Sequence, residues 1–174
     1  MPLTRSEFDS VDALNASFAD KIVGCLQAGI NENGRASLVV SGGRTPQAMF
    51  AALSNTDIAW DKVDITLADE RWVDNTDSAS NEKMVRENLL VNFAAKAKFV
   101  ALKTAHANAE EGVEECTARL ANMQTPFDVL ILGMGEDGHT ASLFPCSEQI
   151  EEGLSLDEII VVGICYLFVA RSCT

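Results

Sequence analysis

A chain of 174 residues with 47% hydrophobic and 22% charged side chains has an ordinary globular composition, not a disordered one. At this length folding buries roughly 68–70% of the unfolded surface. Thirteen Lys and Arg against 26 Asp and Glu leave a formal charge of −13, which serves solubility and argues against nucleic acid or an anionic membrane surface as partner.

The chain opens with MPLTRSEFDSVDALNASFAD, which has neither the basic nor the apolar region of a secretory signal. From Phe8 to Ala28, apolar residues recur at helical spacing (Phe8, Val11, Leu14, Phe18, Ile22, Cys25, Leu26). This predicts an amphipathic helix capped by Ser6. Asn31–Arg35 reads as a turn and Ser37–Val40 as a short buried strand. Ser41–Pro46, SGGRTP, leads into the helix formers Gln47–Leu53, with Pro46 suited to the first turn. The glycine pair therefore sits where a strand hands over to a helix.

The pattern repeats downstream. Val63–Asp69 alternates as a strand does, Asp69–Ser80 is polar and predicts a long loop, and Asn81–Leu90 reads as helix. Phe99–Leu102 is a candidate strand. Ala107–Met123 is strongly helical, with Glu110, Glu111, Glu114 and Glu115 on a solvated face. Phe127–Gly135 is a near-continuous apolar run that suits a central parallel strand. Ile159–Val162 has the β-branched composition of a buried strand, expected beside Val129–Leu132 in the same parallel sheet. The longest apolar run, Ile159–Ala170, is too short to span a bilayer.

Five scattered cysteines (Cys25, Cys116, Cys146, Cys165, Cys173) contain no CxxC pair. They argue against a disulfide framework or a zinc site and for a reducing, cytoplasmic setting. Helices and strands alternate without repeat or linker. The expectation is one α/β domain over 1–174, Rossmann-like, with a mainly parallel sheet and helices on both faces. In such folds ligands sit beyond the carboxyl ends of strands, beside a switch in strand order.

Three polar segments fall there. In SGGRTP, Gly42 and Gly43 let backbone amides approach a ligand, a helix N-terminus follows, and Arg44 and Thr45 add a charge and a hydroxyl suited to phosphate. The alternative is a tight turn that needs glycine for its dihedrals; GxxxxGK[ST] is absent. In LADERW, Asp69, Glu70 and Arg71 at a strand end suit a general base or a clamp on substrate oxygens, or else form a solvated loop. In GMGEDGH, Gly133, Gly135 and Gly138 fit the dinucleotide fingerprint, but Asp157 and Glu158 precede the next apolar run instead of ending it. NAD is therefore disfavoured.

The same loop carries His139, with Asp137 two residues upstream. In an extended segment both side chains lean the same way, and the carboxylate can hold the imidazole in the tautomer a base requires. A lone histidine can equally be a helix cap or a buried, hydrogen-bonded group. His106, in a polar linker, reads as solvated. With no metal or nucleotide signature, the residues suit a hydrolase or isomerase of a phosphorylated small molecule.

Taken in order, SGGRTP, LADERWV with Ser80–Asn81, and DVLILGMGEDGHTASLFP resemble the 6-phosphogluconolactonases, which share a superfamily with the glucosamine-6-phosphate deaminases and isomerases. The resemblance covers Ser37 to Pro145. It implies hydrolysis of 6-phosphoglucono-δ-lactone to 6-phosphogluconate, in the oxidative pentose phosphate pathway, without cofactor or metal. By the same resemblance Gly42, Gly43, Arg44 and Thr45 hold the 6-phosphate and Arg71 contacts substrate. His139 takes a proton from water, Asp137 orients it, and Asp69 stands where the deaminase branch keeps its proton-abstracting acid.

That branch follows its GH with IAFNEP, whose acid supports ring opening; Thr140–Pro145, TASLFP, carries no acid, which favours the lactonase. The alternatives are an aldose–ketose isomerase or deaminase of an amino-sugar phosphate, and a non-catalytic sugar-phosphate-binding homologue. The tail 146–174 matches the family poorly, and Arg171 is not given the role of the family's C-terminal phosphate-binding residue. The sheet is expected to be short at its C-terminus, its apolar edge open to pairing, and the protein a monomer or weak homo-oligomer.

Overall fold

A computed structural model describes residues 4–148 and 150–154 in full, and 160–163 and 166–169 by their backbone. In chain order the elements are α1 (Val11–Asn33), β1 (Ala36–Val40), α2 (Gln47–Ser54), β2 (Val63–Leu67), β3 (Asp69–Arg71) and α3 (Asn81–Asn88). There follow β4 (Lys98–Phe99), α4 (Ala109–Leu120), β5 (Val129–Leu130), α5 (Ile150–Gly153), β6 (Ile160–Gly163) and β7 (Tyr166–Val169). Strands β4, β2, β1 and β5 form a parallel sheet in that order, flanked by helices; β3, β7 and β6 form a second, antiparallel sheet. The Rossmann-like α/β reading holds, with this second sheet as an addition to it.

Strands β1 and β2 are buried along their whole length, in register from Ala36 opposite Val63 to Val40 opposite Leu67. Burial on this scale requires every polar group to be satisfied. Asp64 receives Arg35 through Nη2 at 2.7 Å and Nε at 3.2 Å, and the Thr66 hydroxyl donates to the Val100 carbonyl at 2.8 Å. Ser37 and Asp128 bind each other through both backbone and side chain. At the other end of β1 the Ser41 hydroxyl donates to the Ile131 carbonyl at 3.0 Å, so side chains pin β1 to β5 at both ends.

Helix α1 starts later than its spacing predicts: Ser10, not Ser6, caps it by accepting from the Ala13 amide. It also runs on through Asn33, absorbing most of the predicted turn, and ends at Gly34 with φ of 79°. Its apolar stripe divides. Ala19, Ile22 and Leu26 are buried, while Val11 is 70% exposed and Leu14 and Phe18 are partly exposed. The acidic face of α4 is solvated as expected.

Three expectations are corrected. Among the described residues the run Phe127–Gly135 is not a central strand, because β5 lies at the end of their strand order and pairing stops near Ile131. Leu132 and Met134 are exposed beyond it. An apolar composition specifies a strand but not its rank in the sheet. The supposed loop Asp69–Ser80 begins with β3, because the chain leaves the parallel sheet after Ala68 and pairs antiparallel with β7, Asp69 opposite Phe168. Finally, the strand at 160–163 pairs antiparallel with β7, not with β5, since β-branched composition carries no information about the partner. Arg171 lies outside the described residues. Among the described residues no helix is long and apolar enough to cross a membrane, and no cluster of His, Cys, Asp and Glu is placed to hold a metal.

Candidate active site

At the carboxyl ends of β1, β2 and β5 lies an open cavity of about 380 Å³. The first motif contributes Ser41, Gly42, Gly43 and Thr45, the second Asp69, Arg71 and Asn81, and the third Gly133, Gly135, His139 and Ala141. Helix α1 closes one side with Asn15 and Phe18. The site is thus where an open α/β sheet places ligands.

One wall is β3 and the start of α3. Alternation along the strand turns Asp69 and Arg71 to the cavity and sends Glu70 the other way. Glu70 is buried and collects four donors: the amides of Arg71 at 2.7 Å, Asn81 at 2.8 Å and Glu82 at 2.8 Å, and the Ser80 hydroxyl at 3.2 Å. It therefore caps the first turn of α3 together with Ser80, whose own oxygen accepts from the Lys83 amide. Burial raises the Glu70 carboxyl above its ordinary range, and the four donors pull against that.

This anchoring fixes Asn81. Its Nδ2 donates to the Asp69 carbonyl at 2.9 Å and its Oδ1 accepts from Arg71 Nη1 at 2.9 Å; Arg71 Nη1 also donates to the Ala79 carbonyl. The Asn81 amide occupies the space where a Cβ on Gly42 would stand, so glycine at 42 is required by packing against α3 as well as by any ligand. Asp69 itself is 6% exposed and accepts from the Ser142 hydroxyl at 2.7 Å. Burial raises its pKa; the Ser142 bond, Arg71 and His139 oppose the rise.

The other wall is the loop after β5, whose catalytic candidates are held by contacts within the loop while Ser142 ties it to Asp69. His139 Nδ1 lies 2.5 Å from Asp137 Oδ1, and the His139 amide also donates to that oxygen at 3.2 Å. These bonds lower the Asp137 pKa. With Nδ1 donating to the carboxylate, a neutral ring keeps its lone pair on Nε2. Gly135 must be glycine because the His139 ring and Asp137 occupy the position of its Cβ. Gly138, at φ of 85°, needs the freedom of glycine to make the turn. Two glycines of the apparent dinucleotide fingerprint therefore serve a histidine.

Of the residues expected to form the site, Gly42, Gly43, Thr45, Asp69, Arg71 and His139 meet at the cavity, with Asp137 bound behind His139. Arg44 does not join them: it is exposed and absent from the lining. Four residues escaped assignment. Asn81 and Ser142 lay inside quoted motifs, and their polar side chains beside glycines and carboxylates were the available sign. Asn15 and Phe18 had none, since a helix face lining a cavity has the same period as one packed in a core. His106 is not simply solvated; its Nδ1 pairs with the Thr104 hydroxyl at 2.9 Å, away from this cavity.

Residues 9–164 match the family described as glucosamine-6-phosphate isomerases/6-phosphogluconolactonase. A 6-phosphogluconolactonase of Rhizobium meliloti is 45% identical over 147 residues, which are 84% of this chain and 63% of that protein. One from Pseudomonas aeruginosa is 46% identical over 133 residues, 76% of this chain and 56% of that protein. The chain thus spans less than two thirds of the length of these two relatives. The crystal structure of a 6-phosphogluconolactonase from Shewanella baltica superposes with a TM-score of 0.90 at 45% identity, covering 93% of this chain and 72% of the other.

Proposed function

The chain belongs to the family of glucosamine-6-phosphate isomerases and 6-phosphogluconolactonases, and from that premise we propose that it hydrolyses 6-phosphoglucono-δ-lactone to 6-phosphogluconate, a step of the pentose phosphate pathway. The observation that carries this reading is the Asp137–His139 pair at the rim of a cavity that also holds Arg71 and the Gly42–Gly43 turn.

In this reading His139 Nε2 takes a proton from water as the water oxygen bonds to the lactone carbonyl carbon. The carbonyl electrons move onto oxygen, and Asp137 stabilises the imidazolium that forms. When the carbonyl reforms, the bond from that carbon to the ring oxygen breaks, and the imidazolium returns its proton to the departing oxygen. A lactone is already an activated ester, so a positioned water and one base suffice without a cofactor or metal. The substrate is anionic and the chain carries −13, so a local cation has to receive it. Arg71 lines the cavity with Nε and Nη2 free of hydrogen bonds among the described residues, and the Gly42–Thr45 turn ahead of α2 offers amides for the phosphate. The reading places the protein in the cytoplasm, supported by the unpaired Cys25, Cys116 and Cys146.

The isomerase branch is disfavoured by Phe144, which stands five residues after His139, where IAFNEP carries its acid. The test is acid release from the lactone in a pH-stat with EDTA present. A rate above the spontaneous background supports the reading. A folded chain with no excess rate leaves a sugar-phosphate-binding protein, and ammonia with ketose formed from glucosamine 6-phosphate selects the other branch.

A further inference from the structure

Resting on His139 as the base, we propose that Phe144 is its positioning residue: the phenyl ring holds the imidazole plane so that Nε2, the nitrogen Asp137 leaves free, keeps one direction. The two rings stack with centroids 4.6 Å apart and planes inclined by 29°.

The need for such a residue follows from exposure. The His139 and Asp137 side chains are 34% and 58% exposed, and a hydrogen bond in contact with solvent competes with water. One bond at Nδ1 also leaves the ring free to pivot about that contact. The ring fills the space beside Gly135 that a Cβ would take, so it packs toward that backbone on one side. Phe144 supplies a flat surface, which resists ring rotation as a single hydrogen bond does not.

The backbone is built to deliver that ring. Thr140 and Leu143 pair across a tight turn, with the Leu143 amide donating to the Thr140 carbonyl at 2.9 Å and Ala141 at φ of 49°. Left-handed backbone at a residue other than glycine is uncommon and persists where surrounding contacts hold it. Here the Thr140 hydroxyl donates to the Gly133 carbonyl at 2.8 Å, and Ser142 donates to Asp69 on the far wall. The turn reverses the chain after His139, so that a residue five positions later lies against the imidazole.

The experiment uses the whole chain with labelled histidine and follows the ring-nitrogen resonances, those of His106 being removed by His106→Gln. In the parent, His139 should show one tautomer with the proton on Nδ1. Phe144→Ala should replace this with averaged resonances and lower kcat about 10- to 100-fold, the scale on which a base displaced by an ångström loses rate, with KM changed less than about twofold. Phe144→Tyr should restore both. An unchanged tautomer and kcat in Phe144→Ala, or averaging that Phe144→Tyr does not reverse, overturns the proposal. If Phe144→Ala does not fold, Phe144→Leu decides: it keeps an apolar side chain and lacks the flat face, so averaging supports the proposal and a single tautomer overturns it. Full activity in His139→Ala would instead remove the base, and the tautomer resonances would still report whether Phe144 holds the ring.

Discussion

The two walls of the cavity are built on opposite plans. On the β3–α3 side, Asp69 and Glu70 are buried to 6% and 1% exposure and bound across elements, Glu70 to the first turn of α3 and Asp69 to Ser142, 73 residues on. On the β5 side, Asp137 is exposed and His139 half-buried, and the side-chain bond between them joins residues two apart. A charge held in a buried frame keeps its position through the rigidity of the fold. A base at the cavity rim stays in reach of water, and here it is oriented by contacts within its own loop. In the proposed reaction the first wall receives an anionic substrate and the second transfers the proton.

The comparison predicts a double dissociation. His139→Ala should lower lactone turnover by about 10²–10⁴, the usual range for loss of a general base, while the denaturation midpoint stays near that of the parent. Near-normal turnover would remove the exposed wall from the chemistry and leave Asp69 as the next candidate. Glu70→Ala should act first on stability, and on activity only through the Asn81 and Arg71 it positions. It strips the acceptor from two buried amides and one part-buried amide, and at 1–3 kcal/mol for each unsatisfied group the loss should be about 3 kcal/mol in urea unfolding. Water entering the vacated space would reduce it. A loss below about 1 kcal/mol would show that Glu70 is not what ties α3 to β3.

The contrast also explains what was legible in the sequence. Asp137 and His139 could be paired in the sequence because their contact is local, although a turn at Gly138, and not the expected extended segment, sets its geometry. The strand-to-helix turn at Gly42 was legible too, since glycine and Pro46 mark it directly. What failed were the relations carried by distant partners. The reach of Ser142 to Asp69 has no period, and neither does the dependence of Gly42 on Asn81. Gly135 matched a nucleotide motif because spacing records that glycine is needed and not which atom needs the room. The same limit put β5 in the middle of the sheet and β6 beside it: composition identifies a strand, whereas its neighbours follow from the tertiary arrangement. Arg44 was assigned from its motif, and its side chain lies outside the cavity lining.

The smallest expected effect is also the one that separates the walls most directly, because their carboxylates are shifted in opposite directions. Burial raises Asp69 above its ordinary 3.8, so the folded state holds that proton more tightly than the unfolded chain. Its contribution to stability is then fully present below 3.8 and is lost as pH rises through the elevated value. Asp137 is lowered by its bonds to His139, so its contribution is present above 3.8 and is lost as pH falls through the depressed value. Urea midpoints measured from acid to neutral pH, for the parent against Asp69→Asn and Asp137→Asn, should therefore show differences of opposite slope. With Asp69→Asn the parent's advantage should shrink as pH rises above the ordinary carboxylate value. With Asp137→Asn it should shrink as pH falls below it, and by less, since an exposed pair is screened by solvent and salt. If both differences slope the same way, the two carboxylates share one environment and the contrast between the walls is lost.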